Sequence, residues 1–269
     1  MEQRLDYYTL VGFAPESTGP DDLESLSIKA DETALFLDFD GTFVDIAETP
    51  DSVRVGRRDK LLLDELSRRH QGAVAIVSGR NLSDIDHYLA GFSGTVSGGH
   101  GAELRHAGQD FLGASCDLER LEHIKNAVME FAIIDPRVLA EDKSFGIVLH
   151  FRQHPELEGK VHDFLRSLVD GDAEFEIQPA KMAFEVKPKG FSKASAIERI
   201  MSFVQFGGRS MLYAGDDVTD EGAFAHVNAR GGVTVKIGDG PTVARYRTQS
   251  PASFKDWLRA QPGPSRQGA

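Results

Sequence analysis

The chain has 269 residues, 41% of them hydrophobic and 27% charged, enough apolar content to bury one large core or two modest ones. Its formal charge of −12 argues against nucleic acid and anionic membranes as partners, since both attract basic surfaces. No run approaches the roughly 18 apolar residues of a membrane span, and the opening "MEQRLDYYTLVGFAPESTGPDD" lacks the layout of a secretion signal. The single cysteine, Cys116, excludes an internal disulfide and a cysteine-built zinc site. These features predict a soluble, cytoplasmic protein, monomeric or weakly oligomeric.

Residues 1–32 are acidic and turn-rich and read as an N-terminal extension that makes poor core. From residue 33 a different pattern begins. "TALFLDF" is a short apolar run of buried-strand type, and "RRDKLLLDELSRRH" places Leu62, Leu63 and Leu66 at helical spacing. "GAVAIVSG" is a second buried strand, "LSDIDHYLAG" a helix closed by Gly91, and "GTVSGG" a third strand. Strand, helix, strand, helix, strand over 33–112 predicts a parallel sheet with helices on its faces. Over 113–187 the rhythm becomes helix, strand, strand, helix, strand, strand. There "DLERLEHIKNAVMEFAI" and "PELEGKVHDFLRSLVD" are helical, whereas "RVLAED", "SFGIVLHFR", "AEFEIQP" and "KMAFEVK" alternate as half-buried antiparallel strands do. The first grammar returns over 188–260, with "FSKASAIERIMSFV" and "TDEGAFAHV" as helices and "SMLYAGDD" and "GGVTVKIG" as strands. The tail 261–269, "QPGPSRQGA", is expected to be disordered. The predicted fold class is α/β: a Rossmann-like parallel-sheet core with an inserted α+β (αββαββ) domain. The crossings between them, near 112–117 and 186–190, are expected to hinge.

In an open parallel sheet, ligands sit beyond the carboxyl ends of the strands. Asp38 and Asp40 follow the first strand, Ser78 the second, and Asp216 and Asp217 a later one, so these residues are expected to share a crevice. Each alone would also suit a helix N-cap. Gly41 permits the bend that turns a carboxylate into the crevice. A carboxylate nucleophile with a second carboxyl group two residues on suits phosphoryl transfer through an aspartyl-phosphate: the first attacks phosphorus, and the second protonates the leaving oxygen and then activates water. A phosphate dianion beside Asp38 and Asp216 repels attack unless cations intervene, which points to Mg²⁺ and to Lys193 at the start of the helix "SKASAI". In the middle segment Met182, Phe184 and Val186 share one strand face, leaving Glu185 and Lys187 on the other. Glu141 shares a parity with Lys143, and His150 with Arg152. Such a face either grips sugar hydroxyls or is a solvated surface with cross-strand ion pairs.

"DFDGT", "SGR", a lysine at a helix start and "GDDVTD", in that order, resemble the four motifs of the haloacid dehalogenase superfamily of phosphotransferases. The resemblance implies Asp38 as nucleophile, Asp40 as general acid/base, and Ser78 and Lys193 on the phosphoryl group. It also implies Mg²⁺ held by Asp38, the Asp40 carbonyl and Asp216, with Asp217 or Asp220 as an outer ligand or an orienting group for Lys193. For Asp220, helix N-capping is the alternative. Thr42, Gly79 and Arg80, from the same motifs, join the expected substrate-binding residues. Further, "GGHGAELR", "EDKSFGIVLHFR", "FEVKPKGFSKASAI", "GDDVTDEGAF" and "ARYRTQSPASFKDWL" are similar to trehalose-6-phosphate phosphatases over about residues 33 to 260. This implies hydrolysis of trehalose 6-phosphate to trehalose and phosphate, with residues 113–187 as a cap. The family's cap residues for the second glucose unit fall on Glu141, Lys143, Arg152 and Glu185, and Lys187 is counted with them. His100 is counted as a substrate contact, although a structural hydrogen bond from its ring is the simpler reading. Two departures are Ala194, where the family usually has Gly, and Phe43 in "DGTF", where Leu is commoner. The competing expectations are a phosphatase for sucrose phosphate or mannosyl-3-phosphoglycerate, and a non-catalytic phosphosugar sensor.

Overall fold

The structure, a computed structural model, describes residues 21–46, 53–112, 116–180 and 182–263. Residues 1–20 of the expected extension, Lys181 of the strand expected at 181–187, and the tail from 264 lie outside the described residues. The chain divides into two compact units, one built from residues up to Phe111 and from Ser192 on, the other from Leu112–Phe191.

In chain order the first unit opens with strands β1 (Asp21–Asp22) and β2 (Thr33–Leu37), helix α1 (Arg57–Arg69), β3 (Val74–Val77), α2 (Leu82–Tyr88), β4 (Thr95–Gly98), β5 (Glu103–His106) and β6 (Gln109–Leu112). The second unit follows with α3 (Leu118–Ile134), β7 (Leu139–Lys143), β8 (Gly146–His150), α4 (Glu158–Val169), β9 (Phe175–Ala180) and β10 (Ala183–Pro188). The first resumes with α5 (Lys193–Met201), β11 (Ser210–Gly215), α6 (Glu221–Ala229), β12 (Val233–Ile237), β13 (Tyr246–Thr248) and α7 (Pro251–Ala260).

The first sheet runs β1-β13-β12-β11-β2-β3-β4-β5-β6, parallel from β1 through β4 and antiparallel at β4/β5. Every residue of β2 is buried, as a strand covered on both faces requires. One face, with Leu35, Leu37 and Ile76, packs against Leu63 and Leu66 of α1, Ile85 of α2 and Phe254 of α7. The opposite face, with Phe36, Ala75 and Tyr213, packs against Ile197 and Ile200 of α5 and Phe224 and Val227 of α6. From β2 the chain moves outward through β3 to β4, while β11 returns on the other side of β2. The crevice at this reversal opens beyond the carboxyl ends of β2 and β11.

Three features depart from the sequence reading. Residues 21–32 do contribute core: Leu23 is 2% exposed and packs in the same cluster as Leu35, as does Ile28. The Trp257 indole N–H donates to the Leu26 carbonyl at 3.1 Å, fastening this segment to α7. The β5–β6 pair and α7 were also not expected as elements. No helix among the described residues is long and apolar enough to cross a membrane.

In the second unit the sheet runs β7-β8-β10-β9, antiparallel throughout. Ile147, Leu149, Phe175, Phe184 and Val186 form its helix-facing side, packed with Leu121, Ile124 and Val128 of α3 and Val161 and Leu165 of α4. On the opposite side the register sets Glu141, Val148, Glu185 and Gln178 in one row across the four strands.

Because Leu23 belongs to the core, Leu23→Ala should destabilise the protein by about 2–5 kcal/mol, as large-to-small core substitutions do. Urea unfolding measures it, and a change near zero would show that residues 21–32 do not contribute to the fold.

Candidate active site

The adjacency of β11, β2 and β3 fixes what meets at the crevice. Leu37 pairs with Ala214 on one side and Ile76 on the other, so Asp38, the residues after Gly215, and Ser78 emerge side by side. The Asp38 N–H still donates to the Ala214 carbonyl at 3.0 Å, which holds the residue at the strand end. Lys193 opens α5, with Ser192 as N-cap accepting the Ser195 N–H at 3.1 Å.

Lys193 is 4% exposed. Its Nζ donates to Asp38 Oδ1 and to Asp220 Oδ1, each at 2.6 Å. Asp220 also accepts the Tyr213 hydroxyl on Oδ1, and on Oδ2 the backbone N–H groups of Asp216 (3.0 Å) and Asp217 (2.9 Å). Asp220 thus holds Lys193 and ties its own loop; it stands at the N-cap of the helix that follows, but its side chain makes no capping hydrogen bond there. Carboxylate oxygens of Asp38, Asp216 and Asp220 lie within 4.8 Å of one another. Asp217, expected among the metal residues, is outside this group, and its backbone rather than its carboxylate is tied to Asp220.

Gly41 lines the same space at φ +74°, where a Cβ would stand 2.1 Å from Asp216 Oδ2. Only a residue without a side chain lets the bend pass that close. Thr42 is fully buried, and its Oγ1 has no hydrogen-bond partner among the described residues. An orphaned buried hydroxyl here suits an oxygen-rich ligand. Asp40 is gripped by a fork from Arg80, with Nε to Oδ2 at 2.6 Å and Nη2 to Oδ1 at 2.8 Å. The Arg80 guanidinium in turn lies over the Tyr88 and Phe39 rings, 5.1 and 5.8 Å from their centroids. Ser78 accepts the Arg80 N–H at 3.1 Å, and the N-cap of α2 is Asn81, so Ser78 does not cap that helix. Gly79 makes room for His100, since a Cβ there would lie 2.5 Å from His100 Nε2.

Burial pushes the Asp38 carboxyl well above the usual carboxylate range, opposed by Lys193 and reinforced by Asp220 and Asp216. Asp220 is as deeply buried, yet Lys193, Tyr213 and the backbone donors hold it below that range. Burial, then the Asp220 charge, pushes Asp216 up to about 7 despite Lys193. With all three ionised, these carboxylates outnumber the two ammonium groups near them, Lys193 and Lys236, and leave a net negative charge. An all-oxygen donor set with that deficit fits a hard divalent cation.

The remaining sequence candidates lie in the second unit. On the row described above, Glu141 is bound by Lys143 Nζ on Oε1 at 2.5 Å and by His150 Nε2 on Oε2 at 2.8 Å. Glu185 is buried on the same face. Lys187 is buried as well, and its Nζ donates to Glu176 Oε1 at 3.0 Å and to the Phe191 carbonyl, so it is tied down rather than presented. Arg152 is exposed in a turn, not on the expected strand, because β8 ends at His150 and the Phe151 N–H turns to the Met182 carbonyl.

A family model described as trehalose-phosphatase matches residues 36–253. The chain belongs to the trehalose-phosphatase family. It is 36% identical over 233 residues to a probable trehalose-phosphate phosphatase of Sinorhizobium fredii, covering 85% of this chain and 86% of that one. It is 32% identical over 233 residues to the trehalose-6-phosphate phosphatase of Escherichia coli K12, covering 84% and 85%. A solved structure of a trehalose-6-phosphate phosphatase related protein superposes with a TM-score of 0.69 at 25% identity, covering 84% of this chain and 95% of that one. The C-terminal domain of the Candida albicans trehalose-6-phosphate phosphatase shares the fold, with a TM-score of 0.75 at 21% identity over 90% of this chain and 98% of that one.

Two buried residues of this region, Tyr213 and Lys236, were not expected from the sequence. Lys236 is 3% exposed on β12 and donates to the Asp216 carbonyl. A signal existed for both: a phenol among the small and aliphatic residues of an interior strand, and a lysine inside "VTVKIG", each need a buried partner.

The raised Asp216 value carries a sign. With its folded value near 7, above the ~3.9 of a free carboxyl, this group's contribution to stability is full below about pH 4 and is lost as pH rises through 7. A divalent cation binding the ionised form opposes that loss. We therefore expect added divalent cation to raise the Tm more at pH 8 than at pH 5, and Asp216→Asn to flatten the difference. An equal rise at both pH values would count against a cation at this carboxylate.

Proposed function

We propose that the protein is a Mg²⁺-dependent phosphatase that hydrolyses trehalose 6-phosphate in the cytoplasm. The observation that carries this reading is the Lys193 ammonium bonded to Asp38 and Asp220, with Asp216 in the same cluster, in a chain of the trehalose-phosphatase family. In the first step an Asp38 carboxylate oxygen attacks phosphorus and the bond to the sugar oxygen breaks, leaving an aspartyl-phosphate. Asp40 gives the departing sugar oxygen a proton. In the second step Asp40 takes a proton from water, whose oxygen attacks phosphorus, and Asp38 departs as a carboxylate with inorganic phosphate released. Lys193, Ser78 and Thr42 supply positive charge and hydrogen-bond donors to the phosphoryl oxygens. Arg80 fixes the direction of the Asp40 carboxylate. Mg²⁺, held by Asp38, the Asp40 carbonyl and Asp216, would offset the negative charge of nucleophile and phosphate.

Sugar selection is assigned to the polar face of the second unit. Carboxylates of Glu141 and Glu185 accept from hydroxyls, and Lys143 donates. Gly79 and His100 border the phosphoryl loop. Arg152, on its exposed turn, is free of the strand geometry and is assigned to the sugar by resemblance alone.

Phosphate release from trehalose 6-phosphate, with and without Mg²⁺, is the first test. Comparable kcat/KM on sucrose phosphate or mannosyl-3-phosphoglycerate would remove the trehalose assignment. Asp38→Asn should abolish turnover while substrate binding persists, and retained phosphate release would refute attack by this residue. Glu185→Ala should lower kcat/KM for trehalose 6-phosphate far more than for p-nitrophenyl phosphate. Equal losses would assign it to folding.

A further inference from the structure

Glu141 is held from two sides by its own sheet. On β7 it pairs with Val148 of β8, so His150, two residues along β8, lies diagonally across on the same face, and Lys143 lies two residues along β7 itself. His150 Nε2 is 2.8 Å from Glu141 Oε2, and Lys143 Nζ is 2.5 Å from Oε1. Each carboxylate oxygen therefore has one fixed partner and further lone-pair capacity for another donor.

Lys143 alone would not fix this carboxylate. Its ammonium is a point charge on a flexible stem, and it leaves the carboxylate plane free to rotate. An imidazole reaching the second oxygen from a different strand removes that rotation. The side chains of Glu141 and His150 are 30% and 29% exposed, a setting in which an ion pair contributes little to stability. Folding is thus a poor account of the contact. Although partial burial opposes it, the hydrogen bond from His150 and the Lys143 charge bring the Glu141 carboxyl down to about 2, so it remains an acceptor at working pH.

We propose that His150 is a positioning residue for sugar recognition: by fixing Oε2 it sets the direction in which Glu141 accepts a hydroxyl of the substrate's sugar. The inference rests on the reading of Glu141 as a sugar contact. An acceptor ordered before the ligand arrives costs the complex less rotamer entropy, so the effect belongs in KM rather than kcat.

The test compares kcat/KM for trehalose 6-phosphate with that for p-nitrophenyl phosphate, which carries the phosphoryl group without the sugar, in the full chain. His150→Phe keeps a ring but no donor and should lower the ratio of the two about 3–10-fold through KM, the range of one hydrogen bond. His150→Gln keeps an N–H donor and should restore the ratio to within about twofold. In a Glu141→Ala background, which lowers the ratio by itself, His150→Phe should have no further effect. Equal losses on both substrates, or His150→Gln as poor as His150→Phe, would overturn the positioning role. A ratio lowered by Glu141→Ala but not by His150→Phe would overturn it while leaving the sugar face intact. A ratio that Glu141→Ala does not move would overturn the sugar face and this inference with it.

Discussion

A lysine ammonium almost without exposure, lying between two carboxylates drawn from opposite ends of the first unit, is the interaction on which the site depends. Charges removed from water carry a desolvation cost of several kcal/mol each, and mutual attraction offsets it only when geometry is good and the remaining lone pairs are satisfied. Here the sheet supplies the geometry. Asp38 is pinned at the end of β2 by the Ala214 carbonyl, Lys193 is set by the capped start of α5, and Asp220 hangs from the loop after β11. Removing Lys193 would leave both buried carboxylates without the cation they share.

The two carboxylates on that ammonium are not equivalent. Asp220 collects donors from Lys193, Tyr213 and two backbone groups, which stabilise its ionised form and leave it little capacity for anything else. Asp38 receives Lys193, yet burial first, and the charges of Asp220 and Asp216 after it, keep its carboxyl high. Environments that push two acids apart commonly mark different jobs. Asp220 anchors the ammonium, and Asp38 is the carboxylate proposed to attack phosphorus. The arrangement also bears on a conflict posed by composition: a chain of net charge −12 repels an anion at long range, so attraction has to come from local positive charge of the kind Lys193 carries.

Much of this was legible in the chain. Buried apolar runs ending in Asp38, Ser78 and Asp216 announced parallel strands and their shared crevice, and period-two alternation gave the helix-facing and polar faces of the second sheet. What escaped did so for physical reasons. The β5–β6 hairpin turns through Ala107 and Gly108, both at positive φ, a geometry usually signalled by Asn-Gly or Asp-Gly. Alanine gives no such notice. Residues 21–32 read as poor core because acids outnumber apolar residues there, yet Leu23, Ile28 and the bond from Trp257 to Leu26 fasten the segment. In α7 the Ser250 cap and Pro251 at the first helical position were a readable start that went unused. Asp217 and Asp220 stood as alternatives within "GDDVTD", and what sets them apart is the loop's own hydrogen bonds, which bring the Asp220 carboxylate inward.

The position of β2 between β3 and β11 has a consequence for biosynthesis. β3 is made soon after β2, but β11 follows only after the whole second unit. At roughly 5–20 residues per second the ribosome needs on the order of ten seconds or more to cover that distance. Throughout that interval the strand that leads to Asp38 keeps one side of apolar, unpaired backbone open to any neighbouring nascent chain, an invitation to edge-to-edge association. A fold that assembles its catalytic centre from distant segments therefore leaves part of that centre open to misassembly while the rest is still being made.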